Sequence, residues 1–110
     1  MKGGFLKIMS PGSRVEKDSA AIVDDIIGSL KSLPVSKKDK WKVKDAIEHM
    51  ERVERRTVDT AKGIQWNIDD TMEAIDSLLS ITSADISEIR LRMDVLLKVY
   101  LGKLILVFSP

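Results

Sequence analysis

At 110 residues the chain has the size of one domain, and its 44% hydrophobic and 32% charged residues exclude a disordered or fibrous class. The absence of cysteine excludes a disulfide framework, a thiolate metal site and a cysteine nucleophile, and agrees with a cytoplasmic setting. The formal net charge is only +1, but residues 1–15 carry +3, 16–33 carry −2, 34–62 carry +3, 63–83 carry −4 and 84–110 carry +1. Such alternation suits antiparallel helices or complementary subunits, and solvated helix faces give the same tally.

Residues 1–14 contain Gly3, Gly4, Pro11 and Gly12 without helical period and read as a flexible or partner-docking arm. Its apolar centre, Phe5 to Met9, is too short and too interrupted for a signal-peptide core, so secretion is not expected. That centre suits either a short strand or a groove on a neighbouring subunit. The rest, 15–110, reads as a single helical domain.

Between Val15 and Leu33, the spacing of Ile22, Val23, Ile26, Ile27, Leu30 and Leu33 predicts an amphipathic helix ended by Pro34. Glu16 and Asp18 are expected in its first turn and Lys31 near its end, each matching the helix dipole.

From Ser36 to Ser80 apolar residues recur at alternating steps of four and three: Val43, Ile47, Met50, then Thr57, Ala61, Ile64 and Ile68, with Glu54 interrupting. The register then slips to Met72, Ile75 and Leu79. As one helix this stretch would be roughly 67 Å long, too long for a compact domain of this size, so it must bend or find a partner. Gly63, and Asn67 with Asp70 as a new cap, place the expected bend between 63 and 67, with Trp66 at the corner.

The start of this segment is expected at Ser36, with Asp39 completing a cap. Lys37, Lys38, Lys40, Lys42 and Lys44 crowd around Trp41 there, opposing the helix dipole. With Arg52, Arg55 and Arg56 they form a candidate anion or nucleic-acid contact; alternatively they are a solvated face with Trp41 stapled to the preceding helix. Glu48 with Arg52 and Glu51 with Arg55 have the acid-first spacing of helical ion pairs. His49 has no second histidine or cysteine to share a metal and reads as a surface residue. Asp69, Asp70, Glu73 and Asp76 make an acidic face that can answer the lysine cluster.

Thr82 and Ser83 are cap candidates for a last helix from 83 to 108, whose periodic residues run from Ile86 through Tyr100 to Leu104 and Phe108. From Val95 onward it is apolar well beyond one face, although residues 104–108 also suit a strand. Lys98 and Lys103 interrupt it too often for a membrane span.

The expected fold is therefore all-α: a small helical bundle, or a long helical hairpin with a coiled-coil-like central helix. No catalytic, cofactor or metal motif is present, so the chain reads as a non-enzymatic interaction or assembly protein without a small-molecule substrate. Its expected partners are itself and another protein. The predicted self-association surface comprises Val43, Ile47, Met50, Glu54, Thr57, Ala61, Ile64 and Ile68 with Leu101, Leu104 and Phe108. Nucleic-acid binding through the lysine cluster and peripheral membrane anchoring through the C-terminal segment are the two alternatives.

Overall fold

Residues 11–108, with side chains from residue 19, are described by a computed structural model. Among them the chain forms four α-helices and no strand: α1 Pro11–Ser32, α2 Lys40–Arg55, α3 Ala61–Leu78 and α4 Ala84–Phe108. A short 3-10 turn, Lys37–Asp39, leads into α2. Each helix packs on two neighbours, in the ring order α1, α2, α3, α4 and back to α1, which makes a small four-helix bundle.

Helix α1 begins at Pro11, four residues before the predicted start, because a proline at the first helical position gives up no hydrogen bond and already has helical φ. Glu16 and Asp18 therefore fall in the second turn. The expected arm is shortened accordingly, and its residues 1–10 lie outside the described part. Val23, Ile26, Ile27 and Leu30 fill the core from α1, and the helix ends two residues before Pro34.

The predicted 36–80 segment does break, but at residues 56–60 rather than 63–67. Arg56 is extended (φ −92°, ψ 138°), and Thr60 caps the new helix by accepting a hydrogen bond from Gly63 N at 3.0 Å. Neither the coiled-coil-like central helix nor the long hairpin forms. Instead α2 and α3 fold antiparallel, and Val43, Met50, Ile64 and Ile68 of the predicted seam face inward within one chain. Asn67 is no cap, and Trp66 lies within α3 instead of at a corner.

The register after Ile68 also differs from the prediction. The buried stripe of α3 is Ile64, Asn67, Ile68, Thr71, Ala74 and Leu78, while Met72 and Leu79 are more than half exposed. These are continuous steps of three and four with no slip, so small or polar residues hold positions that the larger apolar neighbours had appeared to claim.

Ser83 caps α4, accepting from Ile86 N at 3.4 Å through its hydroxyl and from Ser87 N at 2.9 Å through its carbonyl. Ile86, Ile89, Met93, Leu96 and Tyr100 complete the core, and the helix runs unbroken through residues 104–108, so no strand forms there. Arg92 ties α4 to α1 by donating to Asp25 Oδ2 at 3.1 Å and Ser29 Oγ at 3.0 Å.

Gly63 permits the tight entry into α3, since a Cβ there would lie 2.6 Å from the Thr57 carbonyl oxygen. A glycine-to-alanine change in a helix ordinarily gains up to about 1 kcal/mol. Gly63→Ala is expected instead to lose about 1 to 2 kcal/mol through that overlap. Gly28→Ala, where a Cβ meets nothing within 4 Å, is expected to gain stability. Paired thermal melts check the opposite signs.

Candidate interaction surfaces

The predicted basic cluster does not converge. Lys37, Lys38, Lys40 and Lys44 are exposed at the start of α2, as is Trp41 at 65%, too open to staple α1. Lys42 turns away, donating to Ser80 Oγ at 2.8 Å and pairing with Asp39 at 3.3 Å. The Ser36 hydroxyl donates to Asp39 Oδ2 instead of capping an amide, so the helix proper starts only at Lys40. Although partial desolvation alone would raise it, the Asp39 pKa lies below the usual value, because Lys42 and Ser36 bond to the carboxylate and Lys38 adds positive charge.

The arginines separate as well. Arg55 is exposed, while Arg52 and Arg56 turn toward α3. The local pairs expected from spacing are not made: Glu51 instead pairs with Lys31 of α1 at 3.3 Å, and Arg52 approaches Asp70 at 3.8 Å.

What the sequence reading missed is a polar spine between α2 and α3, centred on Asp70. Its Oδ2 accepts from Arg56 Nη1 at 2.7 Å and its Oδ1 lies 3.0 Å from His49 Nδ1. His49 is not a surface residue: its side chain is 16% exposed and its Nε2 lies 3.6 Å from Asp45, which in turn accepts from Ser77. Of the predicted acidic face only Asp70 turns toward α2, and it meets histidine and arginine instead of the lysines, while Asp69, Glu73 and Asp76 stay exposed. The signal available was the pairing of a lone histidine and Arg56 with Asp70 on helices of opposite direction, which requires knowing where the segment folds back.

Arg56 Nη1 also donates to Asn67 Oδ1 at 2.9 Å, and its guanidinium stacks 5.6 Å from the Trp66 ring, which Lys62 approaches at 5.4 Å. Asn67 Nδ2 and Thr71 Oγ1 are buried without a hydrogen-bond partner. Burial raises the Tyr100 pKa; Asn67, Ser19 and the charge of Arg56 lie close enough to pull it partly back.

Of the predicted self-association residues, Val43, Met50, Ile64 and Ile68 are consumed by the core, with Ile47 half-buried against it. Glu54 and Thr57 are exposed, Ala61 is half-buried in the first turn of α3, and Leu104 packs partly on the core. Leu101 and Phe108 remain exposed. They belong to a larger apolar surface that the helix-face reasoning had not separated: Leu91, Val95, Ile105 and Leu106 on the outer side of α4 are 50 to 67% exposed. No helix among the described residues is long and apolar enough to cross a membrane, and no cluster there can hold a metal ion.

Comparison with protein-family models, curated proteins and solved structures gives no match for this chain.

The environment of Asp70 sets a pH dependence. Desolvation raises its pKa, but the His49 and Arg56 hydrogen bonds and charges outweigh that and hold it below the ordinary 3.8. A pKa lower in the folded than in the unfolded chain gives stability that is complete above the unfolded value and lost as pH falls through the folded one. Asp70→Asn is expected to cost about 2 kcal/mol near pH 7. The difference from wild type should begin to shrink as pH falls below about 4, where the unfolded chain takes up the proton, and be lost once pH passes the lower folded value. Urea unfolding at neutral and acidic pH measures both.

Proposed function

We propose that the chain is a non-enzymatic assembly protein that self-associates through the outer face of α4. The observation carrying this reading is that α4 presents apolar residues on its outer side as well as toward the core. Its inner residues fill the core, yet Leu91, Val95, Ile105 and Leu106 lie opposite them in water. A contiguous apolar stripe on the side away from the core marks a surface that a partner covers. With Leu101 and Phe108 the exposed apolar area is on the order of 600 Å², the greater part of the roughly 800 Å² that each partner of a standard interface buries.

The face also complements itself. Asp94 and Lys98, paired at 3.3 Å, sit at its middle, and a two-fold axis near Lys98 would lay two copies of α4 antiparallel. Leu91 of one copy then meets Ile105 of the other and Val95 meets Leu101, while the two Lys98 flank the axis and each is offset by the two nearby Asp94 carboxylates. Gly102, with open space where a Cβ would stand, allows the two backbones to approach there. This differs from the surface read from sequence, of which Val43, Met50, Ile64 and Ile68 are engaged in the core of the single chain.

Sedimentation velocity over a concentration series tests the reading. The wild type is expected to form a dimer, and Ile105→Asp, which alters a residue outside the core, is expected to raise the dissociation constant by at least about tenfold with helicity retained. A wild type that stays monomeric at the highest concentrations overturns it.

A further inference from the structure

A second surface, independent of the outer face of α4, lies at the start of α2. With the arginines and Lys42 turned away, Lys37, Lys40 and Lys44 remain exposed, and none of the three makes an ion pair or a side-chain hydrogen bond among the described residues. Lys40 and Lys44, four residues apart, share the outward side of the helix, opposite Val43, Ala46 and Met50 in the core. Lys37 stands three residues earlier, in the 3-10 turn, where side chains three apart eclipse, so it falls in line with Lys40. The result is a row of cations with Trp41 beside it.

The row is unfavourable as it stands, because cations at the beginning of a helix oppose its dipole and like charges four residues apart repel. Trp41 is the only large apolar side chain that α2 exposes, at 65%. Lys42 Nζ stands over its ring, 5.9 Å from the centroid, and is itself held by Ser80 Oγ at 2.8 Å and Asp39 at 3.3 Å. One face of the indole is thus backed by a tethered cation, and the other is open to water. Beside the ring Lys38, Lys42, Ser80 and Thr82 line a cleft of about 600 Å³, whose one carboxylate, Asp39, is already paired with Lys42. An open aromatic face next to unpaired cations is the combination that holds a base together with its phosphates.

We propose that this row binds single-stranded nucleic acid, one base stacking on Trp41 and successive phosphates lying along Lys37, Lys40 and Lys44. Binding is indifferent to sequence, because lysine and indole answer charge and ring area, not base edges. An anionic membrane is a poorer match. Past Lys44 the next outward residue of α2 is Glu48, and Asp76 and Asp85 are exposed at the same end of the bundle. A flat charged sheet would meet these carboxylates, whereas a narrow strand passes between them. Insertion would also need more apolar area than one indole supplies.

The test is titration of the full chain with an oligothymidylate of about ten nucleotides. Trp66→Phe leaves Trp41 as the one indole and keeps an aromatic ring beside Arg56. Its emission is expected to quench to saturation at about 50 mM salt, with log K falling against log salt at a slope of about −2, as three phosphate contacts give. Replacing Lys37, Lys40 and Lys44 together by Gln is expected to weaken binding at least about tenfold and to bring the slope toward zero. Trp41→Leu, followed by the anisotropy of a labelled oligonucleotide, is expected to weaken it at least about fivefold with the slope kept. All four side chains are exposed, so helicity should stay at the wild-type level in both variants. Absence of quenching at about 50 mM salt overturns the proposal, and so does either variant binding like the wild type. Cosedimentation with phosphatidylserine vesicles at salt concentrations where the oligonucleotide no longer binds overturns it in favour of a membrane.

Discussion

The fold depends on a carboxylate that is mostly covered by protein. Asp70 on α3 gathers His49 from α2 and Arg56 from the connection that follows it, and through Arg56 it reaches Asn67. Removing any one partner from such a cluster leaves charge or polarity stranded at low dielectric, so the cluster discriminates sharply against other alignments of α2 on α3. Hydrophobic burial of Val43, Met50, Ile64 and Leu78 supplies most of the driving force, but apolar contacts tolerate sliding and ion pairs with hydrogen bonds do not. The same cluster fixes Arg56 at the exit of α2, which sets the direction of the connection and thereby the place of α3 beside α4.

Much of this architecture was legible in the sequence. Pro34, the spacing from Ile22 to Leu33 and the serine before α4 mark the end of α1 and the start of α4, because breaker and cap chemistry is local. The fold class followed from helical periodicity. The break at 56–60 was harder, for no glycine or proline lies there. Its signals were Thr57, Asp59 and Thr60, three residues that compete for backbone hydrogen bonds, and the Thr57 hydroxyl does bond to Asp59. Gly63 drew attention for its low helix propensity, whereas its actual role is to admit the Thr57 carbonyl.

The buried face of α3 was misread for a related reason. Met72 and Leu79 are more hydrophobic than Thr71 and Asn67, yet the smaller pair faces inward. Hydropathy ranks side chains one at a time, while a helix packed between two neighbours is chosen partly for how closely they can approach and for which polar groups they can answer. Residues that meet only through the fold, such as His49 with Asp70 or Asn67 with Tyr100, leave no mark in spacing along the chain. The candidate surfaces shifted accordingly: the α2 and α3 seam became interior, and the outer side of α4 emerged as the uncovered face.

The ring of helices closes between the two that are farthest apart in sequence, and this has a kinetic side. The connections 56–60 and 79–83 are five residues each, so pairing α2 with α3 and α3 with α4 requires little loop entropy. Docking α1 onto α4 joins Asp25 and Ser29 to Arg92 across 67 and 63 residues. Long-range closure of this kind comes late, after local contacts have shortened the effective path. The contact of α1 with α4 is thus the side of the ring that costs the most chain entropy to close, whereas α1 meets α2, like the other neighbouring pairs, through a short connection, residues 33–39.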